Sequence, residues 1–508
     1  MATTEAGLAL ATMAVLAGMM SYYGMFHFGG MDGGVCAKGA WMCYLGYRPY
    51  VDFPAVCSPD YLCLGRLAFL LFGVRWVSFI YLGICVSSLL FLFHWLVLRG
   101  LPMSLSMRWL IAVSTQLCTL VPLGWLSYNQ TASVVGSIFI AAVAGALLPR
   151  QSRRSLVYLT IATLLLLMVK PNIAGFLGAA GYGVLFLRRR SRGAAGLCLM
   201  AALALWGVLL WAQGIGPAEL VRHYLSAKGR LGSKSMLWTC LYDSHQEEAV
   251  NVLPILALMG LICEVFLIGA VLRVPKGVLT SPLVALGICG MGAGLVALMS
   301  NNDMSLVEAP MVISGAALIA CSVPGNVFAG LFSRGAFVAL VLCLVLMADL
   351  FAVQVTINRY RISVIGPGAF FEGGPTCEFA EGSFFHGIHG GPRLLAVDNQ
   401  IRAVLKVYGF VGRLDAPVFF GPRIEYGYPA YGIGPPKGLP LWWPGTGETP
   451  QAEIASYVRT FQQANFQMCV FLKDDFTYIP EGVLQYLGRS YRRCDTGKLT
   501  VFFRDGGQ

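Results

Sequence analysis

"MDGGVCAKGAWMCYLGYRPYVDFPAVCSPDYLCLGRL", Met31–Leu67, follows directly on the first apolar run of the chain. It gathers Asp32, Asp52 and Asp60, four cysteines, Lys38, Arg48, Arg66 and several aromatic rings. So polar a stretch behind so greasy a run reads as a loop outside the bilayer, joining two crossings. Hydrophobic residues make up 57% of the 508 residues and charged residues 12%, and the mean hydropathy is +0.68. Those values lie far from a soluble globular domain and indicate a polytopic membrane protein.

Apolar runs near the ~20 residues that cross the hydrocarbon at helical rise fall at 6–28, 74–98, 109–127, 132–148, 155–170, 173–187, 194–213, 250–272, 280–300, 307–322 and 335–356. The expected fold is an α-helical polytopic membrane domain over 1–356, with about eleven transmembrane helices and an outer loop at 29–73. The first run has no basic n-region or small-residue cleavage site and reads as a retained helix. After Thr356 charges, Gly, Pro and short apolar runs take over, and 357–508 reads as a water-soluble α/β domain.

Orientation follows from the basic turns. With the N-terminus inside, Arg99 and Arg108, Arg150, Arg153 and Arg154, Arg188 to Arg190 and Arg192, Arg273 and Lys276, and Arg334 all fall on the cytoplasmic side, as the positive-inside bias requires. An odd number of spans then places the C-terminal domain outside the cytoplasm, with the bacterial inner membrane favoured over the ER. The net charge of +11 is therefore mostly topological, and nucleic acid is excluded as a partner.

Cys36, Cys43, Cys57 and Cys63 share the outer loop without CxxC spacing, which argues against a zinc knuckle. In an oxidising compartment two disulfides could tie the loop down, in any of three pairings; free thiols are the alternative. Asp32 lies at the expected membrane surface among Gly29, Gly30, Gly33 and Gly34, where glycine gives the backbone freedom to bend and a substrate room to approach. "PDYLCLGRLAFLLFG" (59–73) reads as an amphipathic segment along the interface. Ionisable groups at membrane depth are costly and tend to be kept for a task; a solvent contact for Asp32 and an ordinary loop acid for Asp52 are the plainer readings.

An aspartate just past the first span, then Gly46, Pro49, Tyr50, Asp52 and Phe53 in a G-x-x-P-Y-x-D-F stretch, then Pro59 ahead of an interfacial helix, together resemble the GT-C superfamily of integral-membrane glycosyltransferases. That group includes the protein O-mannosyltransferases and the lipid A aminoarabinose transferases. Lys170-Pro171-Asn172, at an outer helix end, is similar to the Lys-Pro step of many members. The chain departs from the mannosyltransferase pattern at Gly33, where an acid often follows, and at Ser58-Pro59-Asp60, where Pro-Pro is common. The resemblance implies inverting transfer of a sugar from a polyprenyl-phosphate donor to a lipid, glycan or protein acceptor, on the outer face and among membrane lipids.

The residues suit that chemistry. An attacking hydroxyl needs a base, and a carboxylate within hydrogen-bond reach can serve; Asp32 is the candidate, partial burial raising its pKa. Asp52 would orient the acceptor or hold Asp32. The departing lipid phosphate needs positive charge, for which Lys170, Arg222, Lys228 and Arg230 are the candidates. A Lys170 that merely snorkels to headgroups is the plainer alternative. Tyr50, His223, Asn301 and Asn302 are candidate cavity residues. Asp243, His245, Glu247 and Glu248 lack metal-site spacing, so no metal is expected; no cofactor is either, since GxGxxG and Walker patterns are absent. Glu264 is an ionisable group inside an expected span.

In the tail, 393–410 and 452–466 have helical periodicity, 416–421 and 466–475 are strand-like, and 484–504 reads as helix, turn and closing strand. "GPRIEYGYPAYGIGPPKGLPLWWPGTGETP" (421–450) is too rich in Gly and Pro for a regular core element; its aromatics suit sugar stacking or anchoring at the membrane interface. A lipid or sugar transporter and a non-catalytic membrane scaffold are the competing classes. Against transport, the polar groups gather at one face and not at the midplane.

Overall fold

Helix boundaries follow the sequence punctuation closely. A computed structural model of the chain describes residues 2–26, 28, 30–55, 57–117, 119–148, 152–227, 281–299, 309–322, 377–443, 451–476 and 478–504. The helices are α1 (Ala2–Met25), α2 (Gly30–Tyr44), α3 (Pro59–Phe72), α4 (Val77–Arg99), α5 (Leu105–Leu117), α6 (Leu120–Leu123), α7 (Tyr128–Leu147), α8 (Arg153–Val169), α9 (Pro171–Leu187), α10 (Arg192–Ala212), α11 (Pro217–Ala227), α12 (Pro282–Met299) and α13 (Ala309–Ser322). Nine of the eleven expected spans have a helical counterpart; those at 250–272 and 335–356 lie outside the described residues, as does Glu264. Among the described residues four helices are long and apolar enough to cross a membrane: Thr4–Met25, Val77–Arg99, Tyr128–Leu147 and Arg192–Ala212. The chain is a multi-pass membrane protein.

By internal contacts the chain divides into two compact units. The first comprises Met1–Met20, Gly83–Val208 and Ser233–Ile357; the second comprises Ser21–Leu82, Leu209–Gly232 and Asn358–Gln508. The outer loop and the C-terminal region thus belong to one unit.

The first unit is built by small residues on apolar helices. A Cβ on Gly287 of α12 would meet the Gly315 carbonyl of α13 at 2.7 Å, and one on Gly136 of α7 would meet Met311 at 2.8 Å. Glycine lets these backbones approach, which is how helices pack where lipid removes the hydrophobic drive between them. Helix α7 is buried from Asn129 to Leu147, and its polar groups are neutral: Ser137 meets Ser314, and the Thr131 hydroxyl donates back to the Ser127 carbonyl.

In the second unit the expected loop at 29–73 holds two helices. Glycines 30, 33 and 34 do not provide a flexible turn around Asp32; they lie within α2. A Cβ on Gly33 would strike the Trp76 ring at 2.8 Å, and one on Gly39 would strike Leu62 at 2.7 Å and Leu441 at 2.9 Å. Glycine costs a helix roughly 1 kcal/mol against alanine; here it allows close approach to the helix face. Phe28, Trp76, Phe385 and Tyr426 form an edge-to-face cluster with ring centroids 4.8–5.6 Å apart. Helix α3 occupies the segment expected to lie along the interface. It is tied to the end of α10 by Gln213, which donates to Asp60 at 2.7 Å and accepts from the Cys63 thiol at 3.2 Å. Cys36, Cys43, Cys57 and Cys63 are all free thiols, so this packing and not a disulfide holds the loop.

The C-terminal part adds a two-stranded β1–β2 ribbon (Cys377–Glu378, His389–Gly390) and a mixed sheet in the order β3-β4-β6-β5. Its strands are Val418–Phe420, Met468–Leu472, Leu499–Arg504 and Tyr491–Thr496, with β3 parallel to β4 and the other pairs antiparallel. Helices α14 (Pro392–Val407), α15 (Gly427–Tyr431), α16 (Gln451–Ala464) and α17 (Glu481–Ser490) complete it. The 484–504 segment contains one strand more than expected: β5 runs directly on from α17 and turns at Thr496-Gly497-Lys498 into β6, with Gly497 at φ +54°. The core gathers Phe419, Phe461, Phe471, Val483, Leu487 and Phe502.

Candidate functional site

Asp32 stands in the first turn of α2 and keeps a partial solvent face. Its Oδ1 accepts a 3.0 Å hydrogen bond from the Trp442 indole N–H. Burial pushes its pKa above the ordinary carboxylate value, and the indole hydrogen bond only partly offsets that. A carboxylate with a raised pKa and partial access has the properties of a general base.

Two further ionisable groups lie deeper. Lys38, six residues along α2, and Glu425 are each only 1% exposed. The Lys38 ammonium donates to the Pro440 carbonyl at 3.3 Å and sits 5.7 Å from the centroid of the Tyr428 ring. Burial drives Lys38 down to about 8, against the pull of Glu425, and drives Glu425 up to about 8, against the pull of Lys38. The Asp32 charge raises Glu425 further. Gly34 of α2 lies against Glu425: a Cβ there would sit 3.8 Å from Glu425 Oε2, an ordinary van der Waals contact. That oxygen has no hydrogen-bond partner among the described residues, a costly condition for a charged carboxylate and a tolerable one for a protonated acid.

The stretch Lys437–Trp442 fixes this arrangement. The Lys437 ammonium lies 3.1 Å from Asp52 Oδ1 and the Gly438 N–H donates to the Asp52 carbonyl at 2.8 Å. The Leu441 N–H donates to the Pro54 carbonyl at 2.9 Å. With Pro440 on Lys38 and Trp442 on Asp32, one short segment engages Asp32, Lys38 and Asp52 together. Sequence reasoning missed Lys38, Glu425 and this segment. It also placed the aromatics of 421–450 outside the core, whereas Tyr426, Tyr428 and Tyr431 are buried; Trp442, half-buried, is the ring that contacts Asp32.

Asp52 occupies a different environment. Burial is the largest single influence and raises its pKa, but the Arg48 backbone N–H at 2.8 Å, the Lys437 ammonium and the Arg48 guanidinium at 3.6 Å together bring it below the ordinary value. Tyr50, in the same turn, holds φ +67°, donates its hydroxyl to the Cys57 carbonyl at 2.9 Å and its N–H to the Phe53 carbonyl at 2.9 Å. A non-glycine residue in that region costs about 1 kcal/mol or more and persists only where its surroundings hold it.

Lys170 belongs to the first unit, at the junction of α8 and α9. Its ammonium donates to Asn129 Oδ1 at 2.8 Å and sits 5.7 Å from the centroid of the Tyr128 ring. Arg222 is exposed on α11, which also carries His223. Lys228, Arg230, Asn301 and Asn302 lie outside the described residues, as do Asp243, His245, Glu247 and Glu248.

An apolar helical unit and a C-terminal mixed sheet are the architecture expected from the glycosyltransferase resemblance; of the two helices in 29–73, α2 is an addition to it. Two solved structures share it: ArnT from Cupriavidus metallidurans bound to undecaprenyl phosphate (TM-score 0.51, 11% identity, 98% of each chain covered) and the same protein in the apo state (TM-score 0.50, 13% identity, 99% of this chain and 98% of that one). The resemblance drawn from the outer loop is thus matched across nearly the whole fold. No family model and no curated protein matches the sequence.

Proposed function

We propose that this chain is a polytopic membrane glycosyltransferase that moves a sugar from a polyprenyl-phosphate donor to a hydroxyl acceptor outside the cytoplasm, with Asp32 as the base. The observation that carries this reading is the state of Asp32: partly accessible, raised in pKa by burial, and held by Trp442 at a fixed orientation. The base takes the acceptor proton as the hydroxyl oxygen attacks the anomeric carbon from the face opposite the phosphate. The configuration inverts, and the lipid phosphate departs with the bonding electron pair. The ArnT fold and that protein's complex with undecaprenyl phosphate support the donor class.

Lys38 and Glu425 act as positioning residues. Glu425 beside Asp32 raises its affinity for a proton when charged, and Lys38 lowers it, so the state of the pair sets the strength of the base. Asp52 positions the loop through Arg48 and Lys437. Lys170, already oriented by Asn129, is the proposed phosphate contact, and Arg222 a secondary one. Lys228, Arg230, His223, Asn301 and Asn302 stay in the proposal on their sequence positions.

The test is transfer from a labelled polyprenyl-phosphate sugar by the purified full chain in proteoliposomes. Transfer by the parent, with a hundredfold or greater loss in Asp32→Asn at unchanged folding, supports the reading. A parent that moves the intact donor lipid across the bilayer without cleaving it would assign the chain to transport instead.

A further inference from the structure

Arg99 at the end of α4 and Arg153 and Arg154 at the start of α8 line a cavity of about 620 Å³ in the first unit. Its lining continues through Ser152, Ser155 and Tyr158 to apolar groups on α4 and α7, including Val97 and Ala142. The Tyr158 ring meets Phe93 edge-on at 5.8 Å, fastening α8 to α4. A cavity with a guanidinium rim and an apolar wall matches an amphiphile carrying an anionic head.

The charge available at the rim comes chiefly from Arg153 and Arg154. Glu5 lies 3.4 Å from Arg99 and offsets one guanidinium. Arg153 and Arg154 are exposed and have no hydrogen-bond or ion-pair partner among the described residues. In the neighbouring basic turn Arg188 donates to the Leu147 carbonyl at 2.6 Å and Arg192 donates to the Phe186 carbonyl, while Arg189 and Arg190 are exposed but do not line this cavity. Arg188 and Arg192 satisfy helix ends, whereas Arg153 and Arg154 line the cavity with their charge uncompensated. Ser152 caps α8 by accepting the Ser155 N–H at 3.1 Å, so the positive end of the helix dipole adds to the same field.

We propose that this cavity binds the phosphodiester headgroup of an anionic phospholipid from the leaflet that faces the basic turns. Paired guanidinium forks match phosphate oxygens bidentately, and basic pockets between membrane helices suit anionic headgroups. The size lies within the ordinary range of ligand cavities. This site is independent of the transferase reading.

Native mass spectrometry of the detergent-purified full chain, titrated with phosphatidylglycerol, phosphatidylcholine or inorganic phosphate, tests it. Phosphatidylglycerol is expected to be retained in preference to phosphatidylcholine. Arg153→Gln with Arg154→Gln should weaken that retention about tenfold, equivalent to about 1.4 kcal/mol, while Arg189→Gln with Arg190→Gln leaves it unchanged. Arg153→Lys with Arg154→Lys keeps the charge, loses the fork, and should fall between; it serves in place of the glutamine pair if that pair elutes as aggregate. Equal retention by the Arg153/Arg154 variants and the parent would overturn the proposal. So would an equal loss in the Arg189/Arg190 control, which would mean a general surface charge effect. Binding of inorganic phosphate with no retained lipid would assign the cavity to a soluble anion and overturn the lipid assignment.

Discussion

Asp32 and Asp52 lie 20 residues apart in one segment between apolar helices, yet the fold gives them opposite electrostatics. Asp32 is held by one indole N–H where burial dominates, and its pKa rises. Asp52 meets a backbone N–H and two cations near water, and its pKa falls. Lys437–Trp442 touches both, with a lysine at one end and a tryptophan at the other. Two identical side chains thus acquire opposite shifts in proton affinity through their neighbours alone, which suits one to the proposed role of base and the other to that of anchor. Proximity in a loop carries little information about which acid does chemistry; the number of hydrogen-bond donors and cations around each carries most of it.

Substitutions can break this contrast. The largest effect is expected at Asp32: Asp32→Asn should lower transfer by about 10²–10⁴, the usual worth of a positioned base, with the melting temperature held or slightly raised because a buried charge is removed. An equal loss on Asp52→Asn would erase the distinction. Next is Lys38→Met, which leaves the buried Pro440 carbonyl without its donor beside a Glu425 that takes up a proton, and should cost about 1–3 kcal/mol in denaturant unfolding, the range for a buried polar group left unsatisfied.

The third prediction concerns pH. Glu425 is raised in the folded chain from 4.5 to about 8, so its contribution to stability is full below pH 4.5 and is lost as pH rises through about 8. Lys38 is lowered from 10.5 to about 8, so the unfolded chain binds the extra proton between those values and stability recovers above pH 8. Thermal unfolding followed from pH 5 to 10 should show a minimum near pH 8. Glu425→Gln should remove the falling limb and leave the rising one. The smallest effect is expected at Asp52. Asp52→Asn breaks partly exposed pairs worth roughly 0–1 kcal/mol, and transfer should change by no more than a few-fold. Because the Asp52 pKa is depressed, the stability it adds is present above the ordinary aspartate value and is lost as pH falls through its lower folded value.

Much of the helical layout was legible because crossing a bilayer demands long apolar runs and basic turns, which local composition records; α4 and α7 to α10 lie close to where hydropathy puts them. Helix α2 was not legible. Its sequence GMDGGVCAKGAWMCY carries four glycines and little periodicity, so local propensity argues against a helix, and packing against Trp76, Leu62 and Leu441 overrides it. Asp32 stands out as a candidate in the sequence because an acid beside a long apolar run is conspicuous. Lys38 reads in sequence as an ordinary loop lysine: its acceptor, the Pro440 carbonyl, lies 402 residues away, and no local pattern signals such a contact. The tyrosines of 426–431 were misplaced for a related reason. Gly and Pro announce a break in regular structure, but an irregular segment is buried readily when its polar groups find partners, as when the Tyr431 hydroxyl donates to Asp398 Oδ1 at 2.6 Å.

The central claim, that Asp32 is the base, is tested most directly by the pH dependence of transfer in the parent and in Asp32→Asn, measured in the same vesicles. The account predicts that the parent loses activity on acidification through an apparent pKa above the ordinary aspartate value, and that Asp32→Asn retains only a slow transfer without that acidic limb. An Asp32→Asn chain that transfers sugar at the parent's rate, with the acidic limb intact, would contradict it.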